Sequence, residues 1–264
     1  MYKVGRTTGY YFEVLDESFE ELRKGGMTAV ELCYALERIY FEPGFVVDMA
    51  ARHDVQVWSC HLPIHPFEKY DISSLSKETR QIAFDRYSEE IKKCAAVGID
   101  KFVMHPGAPF EDESERSERI KCTMEFADAL AEVAHKEGAV IAVEDMPHCV
   151  GRNIEELETI LSANPKLRLC FDVNHLLENT HDEFIERLGD KIVTVHCSDY
   201  DFVEERHWFP TQGKIPWVSL MSKLYGSGYN GPWIYECATR HGTFKQFYDT
   251  AAGILKEAGV PDNL

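Results

Sequence analysis

The sequence predicts an α/β fold: a (β/α)₈ barrel in which residues 1–264 form one domain. Two observations carry that expectation. Apolar runs of strand length alternate with amphipathic stretches from end to end, and strict alternation implies a parallel sheet. Six of the runs also stop on a side chain of metal-ligand type. They are Val55-Gln56-Val57-Trp58-Ser59-Cys60 into His61, Phe102-Val103-Met104 into His105, Val140-Ile141-Ala142-Val143 into Glu144, Leu169-Cys170-Phe171 into Asp172, Ile192-Val193-Thr194-Val195 into His196, and Trp233-Ile234-Tyr235 into Glu236. In a (β/α)₈ barrel the C-terminal strand ends converge on one mouth, where catalytic residues sit. Eight β/α units of about 33 residues fill the chain.

The pattern is uncommon but not decisive by count. With 45 Asp and Glu and 11 His among 264 residues, six such endings at fixed positions arise about once in 10⁴ trials, or roughly once in a hundred if each end is allowed to slide by one residue. The identities of the ending residues must carry the rest.

Strands are expected near residues 2–6, 27–32, 54–60, 101–105, 139–144, 167–172, 191–196 and 232–236. Helices fill the gaps. Ala83, Tyr87, Ile91 and Ala95 form one i, i+4 stripe, Ile120, Met124, Ala127, Ala131 and Ala134 a second, and Phe244, Tyr248, Ala251 and Leu255 a third. Such stripes pack on the outside of a barrel. Gly98, Gly138, Gly189 and Gly231 punctuate the returns from helix to strand, as glycines at helix C-termini do. The segments His61–Lys77 and Asp199–Pro216 are longer than a plain barrel needs. Both follow strand C-termini, so both are expected over the active face. The glycine-rich Gly226-Ser227-Gly228-Tyr229-Asn230-Gly231 precedes the last strand, which argues for a helix-to-strand turn rather than a phosphate loop.

Composition excludes several classes of function. No stretch approaches the roughly 20 apolar residues that span a membrane. Met1-Tyr2-Lys3-Val4-Gly5-Arg6 leads into a strand without a charged-then-apolar leader, so a cytoplasmic protein is expected. The eight cysteines are scattered with no CxxC pair, and Cys33, Cys60, Cys94 and Cys170 sit in apolar runs, as reduced core thiols do. A net charge of −17 opposes attraction to nucleic acid or anionic membrane. The run Glu111-Asp112-Glu113-Ser114-Glu115 reads as a solvated loop and helix start.

Glu144, Asp172, His196 and Glu236 end the fifth to eighth strands. Three carboxylates and one imidazole suit a divalent ion, Mn²⁺ foremost, with Mg²⁺, Co²⁺ or Zn²⁺ as alternatives. Three neighbouring carboxylates do not all stay ionised cheaply without a cation. His61 and His105, on the adjacent strands, are candidates for substrate or second-metal ligands. His175 follows Asp172 by three residues, and Arg206 and His207 lie in the long loop after the seventh strand. These five are the expected substrate-binding residues. His53, His135, His148, His181 and His241 have no comparable placement and are expected at the surface. Tyr10, Tyr11, Phe12, Trp58, Phe67, Trp208 and Phe209 are candidates for the pocket wall or for packing.

With these residues in place, the chain resembles the xylose isomerase-like TIM barrel superfamily, in particular its sugar phosphate isomerase/epimerase group. The resemblance runs from about His61 to Glu236. It rests on His61-Leu62-Pro63, His105-Pro106-Gly107, Val143-Glu144-Asp145-Met146-Pro147, Phe171-Asp172-Val173-Asn174-His175, Val195-His196-Cys197-Ser198-Asp199, Arg206-His207-Trp208-Phe209-Pro210 with Gly213, and Tyr235-Glu236. Each motif is short, but seven occur in order on the expected elements. Two departures touch the substrate-facing loops: Pro210-Thr211-Gln212-Gly213 stands where Pro-Gly-x-Gly is common, and Asp145 where Asn is frequent.

The resemblance implies a sugar or sugar-phosphate isomerase or epimerase acting by proton transfer through a metal-stabilised enediolate. In the ketose 3-epimerases of this group a Glu, Asp, His, Glu set holds one metal, and the two glutamates are the acid/base catalysts. Those roles fall on Glu144, Asp172, His196 and Glu236, with catalysis on Glu144 and Glu236 and substrate contact on His175. The superfamily also contains endonuclease IV, a DNA-repair enzyme with three zinc ions. Its further ligands match His61, His105, His175, His207 and Glu205, the last standing where that family has Asp. The partners expected are therefore a small sugar or sugar phosphate, no membrane and no nucleic acid, with a homo-oligomer left open. A zinc phosphodiesterase acting on abasic DNA is the alternative, and a non-catalytic subunit or sensor a third class.

Overall fold

The computed structural model describes residues 1–9, 12–34, 41–238 and 242–262. Eight strands close into a barrel in sequence order, β1 through β8, and every neighbouring pair is parallel. The strands are β1 Val4–Thr7, β2 Ala29–Cys33, β3 Gln56–His61, β4 Lys101–Met104, β5 Val140–Glu144, β6 Arg168–Asp172, β7 Ile192–Cys197 and β8 Trp233–Tyr235. The expected (β/α)₈ fold is thus observed. Closure leaves no sheet edge, and it brings the C-terminal ends of all eight strands to one mouth.

Helices follow the strands around the outside. They are α1 Asp16–Lys24, α2 Pro43–Arg52, α3 Phe67–Tyr70, α4 Lys77–Ala95, α5 Arg116–Lys136, α6 Ile154–Leu161, α7 His181–Leu188, α8 Trp217–Gly226 and α9 Phe244–Glu257. The three apolar stripes lie on α4, α5 and α9 and face the main core between helices and sheet. At α4, α6, α7 and α9 the N-termini are closed by side chains that accept otherwise orphaned N–H groups: Ser76 on α4, Asn153 on α6, and full capping boxes at Thr180 on α7 and Thr243 on α9. The glycine-rich segment 226–231 is the α8-to-β8 turn, with Gly228 at φ +105°. The acidic run 111–115 is the exposed approach to α5.

Inside the barrel a second, smaller buried cluster of Val103, Ala142 and Cys170 fills the narrow centre. Side chains on a strand alternate between faces. Residues two positions further along therefore point into the barrel nearer its mouth, and on β5 and β6 these are Glu144 and Asp172. Register shifts adjust the same layer on two other strands. On β3, Val57 pairs with Val30 but Ser59 with Glu31, so Trp58 is an extra residue; on β7, Val193 is extra in the same way against β6. Bulges of this kind re-aim side chains beside active sites. Here they set Ser59 beside Glu31 and His196 beside Asp172.

Candidate metal centre and active site

Glu144, Asp172, His196 and Glu236 meet at the mouth. One ligand-type atom from each lies within 4.8 Å of the others. His196 Nδ1 sits at the centre, 2.9 Å from Glu144 Oε1, 3.0 Å from Glu236 Oε2 and 3.8 Å from Asp172 Oδ2. All four residues are buried. Glu144 and Glu236 border a cavity at the mouth, and its border also brings in His61, His105, His175, Glu205 and His207. Three further ligand groups are present among the described residues: His61 with His105 and Glu144, His175 with Glu205 and His207, and Glu144 with Cys170 and His196. Glu144 Oε2 lies 3.3 Å from His61 Nε2 and 3.2 Å from His105 Nε2.

The second nitrogen of each imidazole decides which one faces the centre, because a nitrogen that donates its proton elsewhere leaves the other as a lone pair. His61 Nδ1 donates to the Leu62 carbonyl at 2.8 Å, His175 Nδ1 to the Asp145 carbonyl at 2.7 Å, and His207 Nδ1 to the Glu236 carbonyl at 3.0 Å. These three therefore present Nε2 to the site. His207 holds a positive φ of +50°, a backbone cost that fixes its ring against Glu205, 2.6 Å away.

The electrostatics are those of a crowded anionic cluster. Burial works against ionised Glu144, but the His196 and His105 imidazoles outweigh it and hold the group well below the usual carboxylate range. The same contest, burial against His196, draws Glu236 down to about 2. Asp172 goes the other way: burial, reinforced by neighbouring Glu236, pushes it well above its ordinary value. Burial disfavours the charged form of His175, but Asp172 and Glu205 overcome it and raise the imidazole well above its usual range. His105 is lowered, chiefly by burial. The side chains alone thus balance the three carboxylates with protons on Asp172 and His175, which is where a divalent cation would act instead. The fit is also visible in hydrogen bonding. Glu144 Oε2, Asp172 Oδ2, His175 Nε2 and Glu236 Oε2 are buried without a hydrogen-bond partner, and a shared cation would satisfy such atoms together.

Most of the expected site residues converge here; Arg206 does not. Its guanidinium pairs with Asp201 and Glu204 and lies over the Trp208 ring, outside the cavity border. A loop arginine flanked by acids finds its partners locally. Its contribution is through the backbone, whose N–H donates to Asn174 Oδ1.

Of the histidines expected at the surface, His181 is buried and donates from Nε2 to the Val173 carbonyl, whereas His148 is exposed, at the border of the cavity. His53 is half-buried beside Asp16, His135 is exposed, and His241 lies outside the described residues. Among the aromatic candidates Phe67 borders the cavity. Phe12 packs on Phe19, Phe209 on Tyr235 and Phe247, and Trp58 under Lys101. Tyr10 and Tyr11 lie outside the described residues. The sequence reading missed Glu31, fully buried on β2, with Oε1 3.0 Å from His196 Nε2. The signal was present: an acid in the middle of the apolar run Ala29-Val30-Glu31-Leu32-Cys33 is either misplaced or purposeful.

Fold and site together define a class, a (β/α)₈ barrel with a carboxylate–imidazole cluster at the C-terminal mouth of its strands. The chain belongs to the xylose isomerase-like TIM barrel family, whose model matches residues 19–258. A solved D-tagatose 3-epimerase-like protein has a TM-score of 0.83 at 21% identity, covering 97% of this chain and 98% of the other. The 3-keto-D-glucoside 4-epimerase of E. coli gives 0.76 at 16% identity, over 97% and 100%. Identities this low speak for the fold alone. By sequence, the chain is 25% identical over 252 residues to an uncharacterised protein of Methanocaldococcus jannaschii, covering 91% of this chain and 90% of that one. It is 28% identical over 157 residues to the probable endonuclease 4 of Citrifermentans bemidjiense, covering 53% of this chain. The match spans 55% of that relative's length. Among the described residues no helix is long and apolar enough to cross a membrane.

Proposed function

We propose that the protein is a divalent-metal-dependent sugar isomerase or epimerase, one barrel domain over its whole length. The observation that carries this reading is that Glu144 and Glu236 belong to one metal-type cluster and both border the same cavity of about 400 Å³. That volume is at the small end of ligand pockets and suits a monosaccharide. No Lys or Arg is found among the described residues bordering the cavity, which favours a substrate without a phosphate.

Glu144, Asp172, His196 and Glu236 are the residues that would hold the ion. Bound there, it would supply a Lewis acid for the enediolate of an aldose or ketose. Glu144 and Glu236 come from strands three apart in the ring. One removes the C–H proton and the other returns a proton, from the same or the opposite face according to the reaction. The Nε2 atoms of His61, His175 and His207, fixed by carbonyl acceptors, orient hydroxyls. Buried cysteines without disulfides, such as Cys60, Cys94, Cys170 and Cys197, support a reducing compartment, the cytoplasm.

The test is a panel of ketoses in deuterated water, read for exchange at the carbon next to the carbonyl. Exchange is expected, and Glu236→Gln should lower kcat by about 10²- to 10⁴-fold. Absence of exchange on every ketose would count against the reading.

A second reading, an endonuclease IV-like zinc phosphodiesterase acting on abasic DNA, is favoured by the groups His61, His105, Glu144 and His175, Glu205, His207. Against it stand the net charge of −17 and the absence of cationic side chains among the described residues bordering the cavity. Metal content separates the two. One Mn²⁺, Mg²⁺ or Co²⁺ per chain supports the first, whereas two or three Zn²⁺ with cleavage at abasic sites supports the second.

A further inference from the structure

His196 is the one member of the four-residue cluster that is an imidazole, and its ring is turned the other way from those of His61, His175 and His207. It presents Nδ1 to Glu144, Glu236 and Asp172, and Nε2 points away from the cavity into the barrel. The other three rings are held by backbone carbonyls, which no substitution removes. His196 Nε2 instead meets a side chain, Glu31 Oε1, at 3.0 Å. The second oxygen of Glu31 accepts the Ser59 hydroxyl at 2.8 Å. Glu31, Ser59 and His196 are all fully buried, on β2, β3 and β7.

We propose that Glu31 is a positioning residue that sets the tautomer and ring orientation of His196, so that Nε2 carries the proton and the Nδ1 lone pair faces the metal centre. The inference rests on the reading of that centre as a metal site, not on any particular substrate. A buried carboxylate with no histidine to hold would be a costly residue at the middle of a strand. Here both of its oxygens have donors. Ser59 matters in turn because its hydroxyl ties up the oxygen that would otherwise compete, and the β2–β3 register shift is what sets it opposite Glu31. The arrangement is a carboxylate–histidine–metal relay built across the barrel interior, and such outer partners tune affinity by about 10- to 100-fold.

Two measurements test it. In the wild-type protein labelled with ¹⁵N-histidine and loaded with diamagnetic Mg²⁺ or Zn²⁺, His196 is expected to show a protonated Nε2 and an unprotonated Nδ1. A protonated Nδ1 overturns the inference whatever the variants do. In titrations with Mn²⁺, Glu31→Leu should lose about 10- to 100-fold in affinity. Glu31→Gln, whose amide oxygen still accepts from Nε2 while Ser59 turns to accept from the amide, should stay within about fivefold of wild type. A folded Glu31→Leu protein with unchanged Mn²⁺ affinity, or equal losses in both variants, assigns Glu31 a merely structural role and overturns the inference. If the wild-type protein binds no divalent ion at all, the metal-centre reading itself fails. Binding with the opposite tautomer sinks only the role of Glu31.

Discussion

Asp145 follows a metal-type ligand, yet its carboxyl does not face the cavity. One oxygen accepts the Asp172 N–H at 2.8 Å and the other is buried without a hydrogen-bond partner. Burial pushes its pKa up to about 7. Between the ordinary carboxylate value and that one, the folded chain keeps a proton that the unfolded chain has released. The folded state then binds more protons, so this group's contribution to stability falls as pH rises through the window. Asp145→Asn keeps the acceptor for the Asp172 N–H and removes the titration. In chelator-treated protein the variant's advantage over wild type should grow by on the order of 2 kcal/mol between about pH 5 and pH 8, measured by urea unfolding. A pH-independent difference would refute the assignment. At this scale the sequence was informative wherever a ligand closed an apolar run, because strand ends converge whatever the loops do. It marked Glu31 as an acid inside an apolar run but not its purpose, which depends on His196, 165 residues away, and it was misleading on Arg206, whose acidic loop neighbours capture it before it reaches the cavity.

The loop from Asp199 to Pro216 shows how one side chain organises an element. Asp199 is fully buried and accepts from the backbone N–H groups of Tyr200, Thr211 and Ile215, at 2.9, 2.8 and 3.2 Å, and from Trp217 Nε1 at 2.9 Å. Gly213 packs so closely that a Cβ there would meet Tyr200 O at 2.3 Å and Asp199 Oδ1 at 2.4 Å. This loop carries Glu205 and His207 to the cavity. Asp199→Ala orphans several buried donors, each worth about 1–3 kcal/mol. Hydrogen-exchange protection should fall across 199–217 while the barrel strands keep theirs. Unchanged protection in the loop would show that other contacts hold it. None of this was legible beyond the expectation of a long loop over the active face, because the folded loop closes around a residue at its own start. Strand boundaries were nearly legible, with one systematic error. Met27 and Val55 are apolar and buried, so hydropathy adds them to β2 and β3. Their N–H groups instead return to the Leu22 and Ala50 carbonyls and close the preceding helices.

The whole molecule was the most legible scale, since βα alternation leaves few topologies and parallel strands in sequence order close naturally into a ring. That closure has an energetic consequence. The four residues of the proposed metal site come from or directly follow β5, β6, β7 and β8, so a cation held there ties half of the ring together at its mouth. An ion that binds the folded chain and not the unfolded one adds about 2.7 kcal/mol of stability at a hundredfold excess over Kd. For a chain of this size that corresponds to a rise in Tm of roughly 5–10 °C. Chelated protein should therefore gain that much on addition of Mn²⁺, and the gain should be lost in Asp172→Asn, which removes one ligand but leaves the core packing alone. The control is the same titration with Glu205→Gln, which lies outside the four-residue cluster. If one ion in that cluster accounts for the effect, Glu205→Gln keeps most of the shift. If its shift collapses as far as that of Asp172→Asn, the second group of His175, Glu205 and His207 is taking up metal too, and the centre is polynuclear. No shift with any divalent ion would remove the metal from the site altogether, and with it the chemistry proposed for Glu144 and Glu236.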